Sequence, residues 1–245
     1  MGTVICVASG KGGAGKSTLA AGISYALQRE GHSVLLADTD CGLCSVEFLM
    51  EQAEHGVYHG GDVLGGTVSL DQAILAVPGY PHFLPAPPQA DGYADAGALA
   101  ALLMQAAAVY EFVIVDRPAG LDTALERALP ACMGLVVSQP DRISLRGASM
   151  ACAALTAAGC DPCGVVLNRF VPGAVKRRQV PTVDELCDQV GARLLGIVPE
   201  DPQVAGFCAD GVPQPKAPYQ KAMARIAGRL CGRSIPLPKL SKLCK

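Results

Sequence analysis

The chain has 245 residues, of which 50% are hydrophobic and 17% are charged. That length suits one domain or two small ones, and the apolar content excludes intrinsic disorder for most of the chain. Residues 1–168 hold 7 Lys/Arg against 16 Asp/Glu (−9), whereas residues 169–245 hold 13 against 6 (+7). The basic C-terminal end indicates an anionic partner, either a membrane surface or nucleic acid, or simply a solvated helix face.

The expected compartment follows from the absence of two sequence signals and from the cysteines. No apolar run approaches the roughly 18–20 residues of a membrane-spanning helix, so we exclude an integral membrane protein. Residues 1–7 read as a first strand rather than as a signal peptide. Eleven cysteines, an odd number, indicate reduced thiols rather than a disulfide framework. We therefore expect a cytoplasmic protein.

Short apolar runs alternate with helical patterns along the chain. Strands are predicted at 3–8, 33–37, 112–115, 134–137, 164–167 and 194–198, and helices at 16–30, 96–108, 145–158 and 183–190. Apolar strands separated by helices are typical of a mostly parallel sheet covered on both faces. The sequence therefore predicts the α/β class with a single domain over residues 1–233, followed by a basic tail over residues 234–245.

A glycine-rich loop follows the first strand and opens the first helix. Residues 9–18 fit the pattern G-x-x-x-x-G-K-[ST], with Gly10, Gly15, Lys16 and Ser17 at its fixed positions. In such a loop the backbone N–H groups and the helix N-terminus bind phosphate oxygens. We expect Lys16 to reach the β- and γ-phosphates and Ser17 to ligate Mg²⁺. The predicted phosphate-binding residues are Gly10, Lys11, Gly12, Gly13, Ala14, Gly15, Lys16, Ser17 and Thr18.

A second lysine in this loop, Lys11, gives it the form Lys-Gly-Gly-x-Gly-Lys-Ser/Thr. That form resembles the deviant Walker A motif of the MinD/ParA family of ATPases. The resemblance implies a P-loop NTPase fold, ATP and Mg²⁺ as ligands, and ATP hydrolysis. It further implies a nucleotide-sandwich homodimer in which Lys11 crosses to the phosphates of the other subunit, like an arginine finger supplied in trans. Lys11 and Lys16 are therefore predicted catalytic residues.

Carboxylates follow two of the predicted strands. Asp38 and Asp40 come after the second strand, and Asp116 ends the strand at 112–115. The ends of parallel strands beside the phosphate loop form the site in open α/β sheets. Residues 116–120 resemble the Asp-x-Pro-Ala-Gly of the family, which implies that Asp116 holds Mg²⁺ through water. By the same resemblance Asp40 orients the attacking water and contacts Mg²⁺ through water, whereas Asp38 supports this loop.

Two further segments close later strands. Asn168 and Arg169 follow the strand at 164–167, and Pro199, Glu200 and Asp201 follow the strand at 194–198. The resemblance implies that Asn168 reads the adenine edge and that residues 199–201 line the base pocket. An amide can both donate to and accept from adenine. All five residues are predicted to bind the nucleotide.

The resemblance covers roughly residues 2–230 and is strongest to the MinD branch of the family, which acts at the division site. It is carried by the stretches Asp38-x-Asp40-x-Gly42-Leu43, Leu70-Asp71-Gln72-Ala73, Phe83-Leu84-Pro85-Ala86, Val171-Pro172-Gly173 and 195–201. It implies ATP-dependent dimerisation, reversible binding to the anionic inner face of the cell membrane, and recruitment of division-inhibitor and topology-factor proteins. No specific nucleic acid is predicted. Arg117, Cys41 and Cys44 depart from the family pattern.

Other functions are open to the same sequence. A ParA-like partition or positioning ATPase would act on DNA or another cargo, and the basic residues 176–178 would meet phosphates, although no base-reading motif accompanies them. A metal or iron–sulfur carrier would use the C-x-x-C pairs Cys41/Cys44 and Cys160/Cys163, each of which supplies half a site. A synthetase acting on a small carboxylate would need an added substrate domain, and the sequence shows none.

The C-terminal end carries a predicted helix and a predicted anchor. The helix has an apolar stripe that we expect on the sheet and a basic stripe that we expect in solvent: Met223, Ile226, Ala227 and Leu230, against Lys221, Arg225 and Arg229. After two prolines, Leu240, Leu243 and Cys244 share one face with lysines around it. That arrangement indicates an interfacial membrane anchor, and a disordered tail without function is the alternative.

Overall fold

A computed structural model describes residues 1–41, 44–50, 57–89, 91–202, 204, 217–240 and 243. Gly42, Leu43 and Cys244, which were quoted above, lie outside the described residues. The side chains of Cys163 and Lys176 also lie outside them.

Seven strands form the centre of the fold: β1 Thr3–Ala8, β2 Val34–Asp38, β3 His82–Leu84, β4 Phe112–Asp116, β5 Met133–Ser138, β6 Asp161–Phe170 and β7 Leu194–Pro199. They pair in the order β3-β2-β4-β1-β5-β6-β7, and every pairing is parallel. Both faces of such a sheet are covered by helices, which explains the continuous apolar runs. The predicted α/β class with a mostly parallel sheet is confirmed.

Ten helices lie among the described residues: α1 Lys16–Arg29, α2 Ser45–Leu49, α3 Gly60–Leu64, α4 Leu70–Ala73, α5 Ala96–Ala107, α6 Ala124–Ala128, α7 Arg142–Ala157, α8 Pro172–Lys176, α9 Val183–Val190 and α10 Pro218–Leu230. Side-chain caps fix several helix starts. Asp95 accepts from two backbone N–H groups at the start of α5, and Asp141 does the same at α7. Thr182 and Glu185 form a capping box at α9.

Two hydrophobic cores lie on the two faces of the sheet. One core buries side chains of α1 and α10 against the sheet, including Leu19, Ile23 and Met223. The other buries side chains of α5, α7 and α9, including Leu103 and Leu155. The amphipathic helices thus cover both faces and leave the carboxyl ends of the strands accessible from the loops that follow them.

The sequence did not predict β3 or the shortest helices. β3 has three residues and pairs only with β2, apart from an isolated bridge between Leu75 and Phe83. Five helices have four or five residues. Segments of this length complete barely one helical turn, so no periodicity marks them. Their formation depends on the surrounding tertiary contacts.

The C-terminal helix agrees with its predicted apolar stripe but not with a fully solvated basic stripe. Met223, Ile226 and Ala227 are buried. Arg229 instead donates to the carbonyl of Leu195 at 2.7 Å and to that of Ile235 at 2.9 Å. Backbone carbonyls at the start of β7 and in the tail therefore hold this guanidinium.

Two leucines of the described part of the tail pack on the protein. Leu243 is 2% exposed and belongs to the core beside α5, α7 and α9, and Leu240 packs against the same core. In this conformation Leu243 is covered by the protein, and burial there removes the same apolar area from water as insertion into lipid would. The interfacial anchor stays a prediction. Among the described helices, none is long and apolar enough to cross a membrane.

Tyr219 provides a test of how α10 is attached to α1. Its ring is fully buried, and its hydroxyl donates to the carbonyl of Thr18 at 2.5 Å. We expect Tyr219→Phe to lower the free energy of unfolding by about 1 kcal/mol, because the carbonyl loses a buried donor. Urea denaturation measures the change.

The control is Tyr58→Phe, which alters an exposed tyrosine in the same chemical way. It should change the free energy of unfolding by less than about 0.5 kcal/mol. Equal effects of the two substitutions would contradict a specific attachment through the Tyr219 hydroxyl.

Candidate functional site

The phosphate loop connects β1 to α1, and close backbone packing fixes its path. A Cβ atom at Gly10 would lie 2.1 Å from the carbonyl oxygen of Gly147 in α7. Gly15 has φ of +97°, and a Cβ there would lie 2.2 Å from Nδ2 of Asn168. Both positions therefore require glycine, for contact at Gly10 and for contact and left-handed backbone at Gly15.

A cavity of about 580 Å³ opens at this loop. It is lined by Gly12, Gly13, Gly15, Lys16, Ser17, Thr18, Asp40, Ser45, Phe48, Leu49, Ala119 and Arg169. Within the part of the chain that the structure describes, no side chain caps the start of α1, so its first N–H groups are available to a ligand. A helix N-terminus with a lysine beside it is an anion site, and the cavity is thus suited to a polyphosphate.

Two carboxylates lie side by side at the edge of the sheet next to this cavity. Asp38 and Asp116 end β2 and β4, are paired in the sheet, and are completely buried. Burial raises the pKa of each carboxyl to about 7. At Asp38 the charge of Asp116 adds to the rise, whereas at Asp116 the Ser17 hydroxyl and the Lys16 ammonium partly offset it.

The Asp116 carboxylate fits a metal site. Among the described residues, neither of its oxygens has a hydrogen-bond partner of standard geometry. The Ser17 hydroxyl lies close by and accepts from the hydroxyl of Ser45 at 3.2 Å. Mg²⁺ prefers oxygen ligands and keeps several of its waters. Ser17 would thus hold the ion directly, and Asp116 and the nearby Asp40 would hold it through water.

Asp38 and Asp40 have different surroundings. The carboxylate of Asp38 accepts from the backbone N–H of Asp40 at 2.9 Å and from that of Val46 at 3.4 Å. Asp40 is half-buried and its side chain lines the cavity. Asp38 therefore fixes the loop after β2, and Asp40 is the carboxylate accessible to a ligand. This geometry favours the predicted division of roles between the two.

The second lysine of the loop faces solvent. The side chain of Lys11 is 43% exposed, whereas Lys16 is buried. The ammonium of Lys11 lies 3.8 Å from the carboxylate of Asp141, which caps α7. The Ser9 hydroxyl donates to the Lys11 carbonyl at 2.8 Å and fixes the backbone there. Within one chain, Lys11 thus lies outside the cavity that Lys16 lines.

The cation that follows Asp116 is directed away from it. Arg117 donates to Glu126 at 2.8 Å and to the carbonyl of Asp122 at 2.8 Å. Both side chains of this pair are almost completely buried. Arg117 therefore stabilises the loop before α6, and its charge is committed to Glu126.

The residues predicted to bind the base take different positions. Asn168 is buried against the loop and donates to the carbonyl of Ala14 at 2.8 Å. Arg169 lines the cavity, with φ of +53°. Asp201 accepts from the backbone N–H of Tyr219 at 3.1 Å, which fixes the start of α10. Recognition of adenine by Asn168 stays a prediction.

Pro199 ends β7 and Glu200 follows it, and neither residue lines the cavity described above. The backbone N–H of Glu200 donates to the carbonyl of Phe170 at 3.1 Å. Residues 205–216 lie outside the described residues, so the base pocket predicted for this loop is not defined.

Several residues around the phosphate loop were not predicted from the sequence. Gln139 donates to the carbonyl of Gly13 at 3.0 Å, and the Thr39 hydroxyl donates to the carbonyl of Asp116 at 2.7 Å. Ser45 donates to the hydroxyl of Ser17, and Gly147 packs against Gly10. Thr39 was detectable from its place between two key aspartates, but Gln139 and Gly147 carry no local signal because the fold brings them close from distant positions.

The C-x-x-C pairs do not gather further metal ligands within the described part of the chain. Cys44 directs its thiol at the carbonyls of Ala86 and Pro87, 3.7 and 3.8 Å away. The thiol of Cys160 lies 3.0 Å from that of Cys132, which was not part of either motif. Among the described residues, neither Cys44 nor Cys160 belongs to a group of three converging metal ligands, so the geometry gives the carrier hypothesis no support.

The raised pKa of Asp116 predicts how the stability of the protein depends on pH when metal and nucleotide are absent. The folded carboxyl keeps its proton up to about pH 7, whereas the unfolded one loses it near its ordinary value. Asp116 therefore lowers the free energy of unfolding as the pH rises from the ordinary pKa of an aspartate to about 7. We expect Asp116→Asn to raise the free energy of unfolding by about 1–3 kcal/mol more at pH 8 than at pH 5.

Urea unfolding in a metal chelator measures this difference, and comparison between the two pH values cancels any pH-independent effect of the amide. Asp71→Asn, at an exposed position away from the cavity, is the control. A stability change for Asp116→Asn that is the same at both pH values would contradict the buried, unpaired carboxylate.

Comparisons with known proteins agree with this geometry. The model of the CobQ/CobB/MinD/ParA nucleotide-binding domain matches residues 5–213. The septum site-determining protein MinD of Synechocystis sp. is 30% identical, over 96% of this chain and 92% of its own.

Two solved structures share the fold over nearly the whole chain. The MinC:MinD cell division complex of Aquifex aeolicus is 29% identical with a TM-score of 0.86, covering 97% of this chain and 99% of that one. MinD of Pyrococcus horikoshii, complexed with Mg-ADP, is 26% identical with a TM-score of 0.83, covering 94% and 96%. The chain belongs to the MinD/ParA family of P-loop ATPases and is similar to its septum site-determining MinD proteins.

Proposed function

We propose that this protein is a MinD-type ATPase that dimerises around ATP and Mg²⁺, binds the membrane reversibly and positions the division site by recruiting an inhibitor of division. The observation that carries the proposal is the pair of lysines in one phosphate loop, with Lys16 buried at the cavity and Lys11 exposed beside it. Similarity to septum site-determining proteins supports the division-site role.

The position of Lys11 supports a role across a dimer interface. Its contact with Asp141 is long and exposed on both sides, and such a surface pair contributes at most about 1 kcal/mol. The side chain is therefore easily released from Asp141. Two loops that face each other would place each Lys11 on the phosphates of the other subunit, where the anion is far stronger than a single carboxylate.

Exposed apolar side chains around the loop support the same interface. Phe48 lines the mouth of the cavity and is 63% exposed, and Leu121 follows the Asp116 loop. Ile143 and Met150 lie two turns apart on α7, and Ile143 is 72% exposed. Apolar groups gathered beside a charged site are typical of a surface that is covered in an assembly.

The chemistry assigns distinct tasks to the residues of the site. Lys16 and the N–H groups of the loop bind the β- and γ-phosphates, and Lys11 of the facing subunit adds positive charge as the γ-phosphoryl group leaves. Asp40 orients the attacking water. A bound Mg²⁺ neutralises charge on the β- and γ-oxygens. Catalysis then requires the dimer, because one chain provides only one of the two lysines at each nucleotide.

Reversible membrane binding is proposed for the tail, with residues 234–245 acting apart from the ATPase domain of residues 1–233. Burial of Leu243 on the core opposes insertion into lipid. A single tail therefore binds weakly, whereas two tails on an ATP-formed dimer gain through effective concentration. Each lysine near an anionic surface contributes about 1 kcal/mol. Membrane binding thus follows the nucleotide state, on the inner face of the cell membrane.

A division inhibitor is the proposed protein partner. The structural neighbour from Aquifex aeolicus is a MinC:MinD complex, and its similarity extends over 97% of this chain. A topology factor is proposed on family resemblance.

The two lysines and Asp40 should have separable effects on ATP binding, dimerisation and turnover. Lys16→Ala should abolish nucleotide binding, because the phosphates lose their buried counter-charge. Lys11→Ala should bind ATP as wild type does but neither dimerise nor turn over. Asp40→Ala should trap an ATP-bound dimer. Fluorescent-nucleotide titration, light scattering and phosphate release measure the three properties.

Arg169→Ala is a useful comparison, because Arg169 lines the cavity without belonging to the phosphate loop. It should weaken binding without preventing dimerisation. Wild-type turnover by Lys11→Ala would show that the second lysine does not act in trans.

The tail should bind anionic vesicles only in the ATP state. We expect wild-type protein with a non-hydrolysable ATP analogue to sediment with phosphatidylglycerol vesicles, less so at high salt, because the lysine contribution is screened. Deletion of residues 237–245 should remove this binding. Lys11→Ala keeps the tail and serves as the control for dimerisation, so it should also fail to sediment. Equal sedimentation of the deleted and intact proteins would rule out the anchor.

A further inference from the structure

Three side chains from distant parts of the chain meet at the edge of the sheet where the strands begin. Glu30 follows α1, His32 lies in the turn before β2, and Cys231 follows α10. Among the residues that the structure describes, they form the one group of three potential metal ligands whose ligand atoms all lie within 4.8 Å of one another. The phosphate loop is at the opposite edge of the sheet.

The distance between the nitrogen ligand of His32 and the sulfur ligand of Cys231 suits zinc. The Cys231 thiol lies 3.3 Å from Nε2 of His32. Zinc–sulfur and zinc–nitrogen bonds of about 2.3 and 2.0–2.1 Å at a tetrahedral angle place the two atoms about 3.6 Å apart. A shift of a few tenths of an ångström therefore converts this contact into two legs of a coordination tetrahedron.

The imidazole is already oriented for this task. Nδ1 of His32 lies 3.2 Å from a carboxylate oxygen of Glu111, and the ring packs edge-on against Phe112. Glu111 is itself held by the backbone N–H of Ser33 at 2.9 Å. A carboxylate on one ring nitrogen fixes the proton there and leaves the other nitrogen free to bind a metal.

The charges around the group balance a divalent ion. A Cys231 thiolate and the Glu30 carboxylate bring two negative charges, and the adjoining Glu111 and Arg233 cancel each other. Arg233 is paired with Glu30, and a carboxylate that accepts from a guanidinium through one oxygen retains the other for a metal. A cavity of about 480 Å³ lined by Met1, Gly2, His32, Glu111 and Cys231 gives access from solvent.

We propose that Glu30, His32 and Cys231 bind one zinc ion, with water in the fourth position. Binding releases the thiol proton of Cys231 to solvent and forms the zinc–sulfur bond. The ion would join the end of α10 to the turn after α1, and so fix the segment from which the tail departs. Neither C-x-x-C pair takes part, so this zinc site is distinct from the sites that the carrier hypothesis would use.

The experiment uses the full-length protein, dialysed with zinc and then freed of excess metal. Elemental analysis should give one zinc per chain for wild type and for Cys187→Ser, a matched control at a half-buried cysteine of α9. Cys231→Ser and His32→Gln should lose this stoichiometric zinc. With cobalt in place of zinc, wild type should show a thiolate-to-metal absorption band that Cys231→Ser lacks.

Glu111→Gln tests the positioning role of the second carboxylate. It should weaken zinc binding by about tenfold to a hundredfold in competition with a chelator, while the cobalt band keeps its shape. Circular dichroism and ATP hydrolysis establish that each variant is folded, because none of these residues lines the phosphate cavity. Wild type that retains no zinc, or Cys231→Ser that retains one zinc per chain, would overturn the proposal.

Discussion

The buried carboxylate of Asp116 is the constraint on which the nucleotide site depends. It ends a central strand, and no hydrogen-bond donor of standard geometry among the described residues reaches its oxygens. An unpaired charge at such a place is costly unless a cation arrives. Lys16 and Ser17 are placed beside it, and the neighbouring Asp38 carboxyl increases the demand for positive charge. The site is therefore built to gain stability when Mg²⁺ and polyphosphate enter together.

The same helix that binds phosphate is joined to the C-terminal end of the protein. Tyr219 of α10 donates to Thr18 of α1, and its hydroxyl fills the space that a side chain at Gly22 would need. Asp201 fixes the start of α10, and Arg229 near its end holds the carbonyl of Ile235. Contacts through α10 thus connect the first turn of α1 to Ile235, near the start of the tail.

The ion pair of Arg117 and Glu126 explains how the site accommodates a cation beside Asp116. Because Glu126 and the carbonyl of Asp122 hold the guanidinium, Arg117 does not compete with Mg²⁺ for Asp116. The thiols of Cys6 and Cys132 lie near this pair, and hydrogen bonding to Cys132, burial and the Glu126 charge raise the pKa of Cys6. The ion pair is itself almost completely buried, and its attraction is stronger there than it would be in water.

The sequence by itself determined the fold class and the phosphate loop. Parallel strands buried on both faces require continuous apolar runs, and a loop that approaches phosphates closely requires glycines at fixed spacing, so both constraints are local and readable. The placement of Asp38, Asp40 and Asp116 at one edge followed from the same rule, since parallel strands end together.

Tertiary structure alone decided what distant residues do to one another. Gln139, Gly147 and Asn168 reach the phosphate loop from more than a hundred residues away in the chain, and His32 meets Cys231 across nearly its whole length. An apolar Leu243 suits both contact with a membrane and packing on the protein. Only the tertiary structure shows that it is buried in the core beside α5, α7 and α9 in this conformation. Such contacts leave no periodicity in the sequence, because the chain path and not the local spacing brings the groups together.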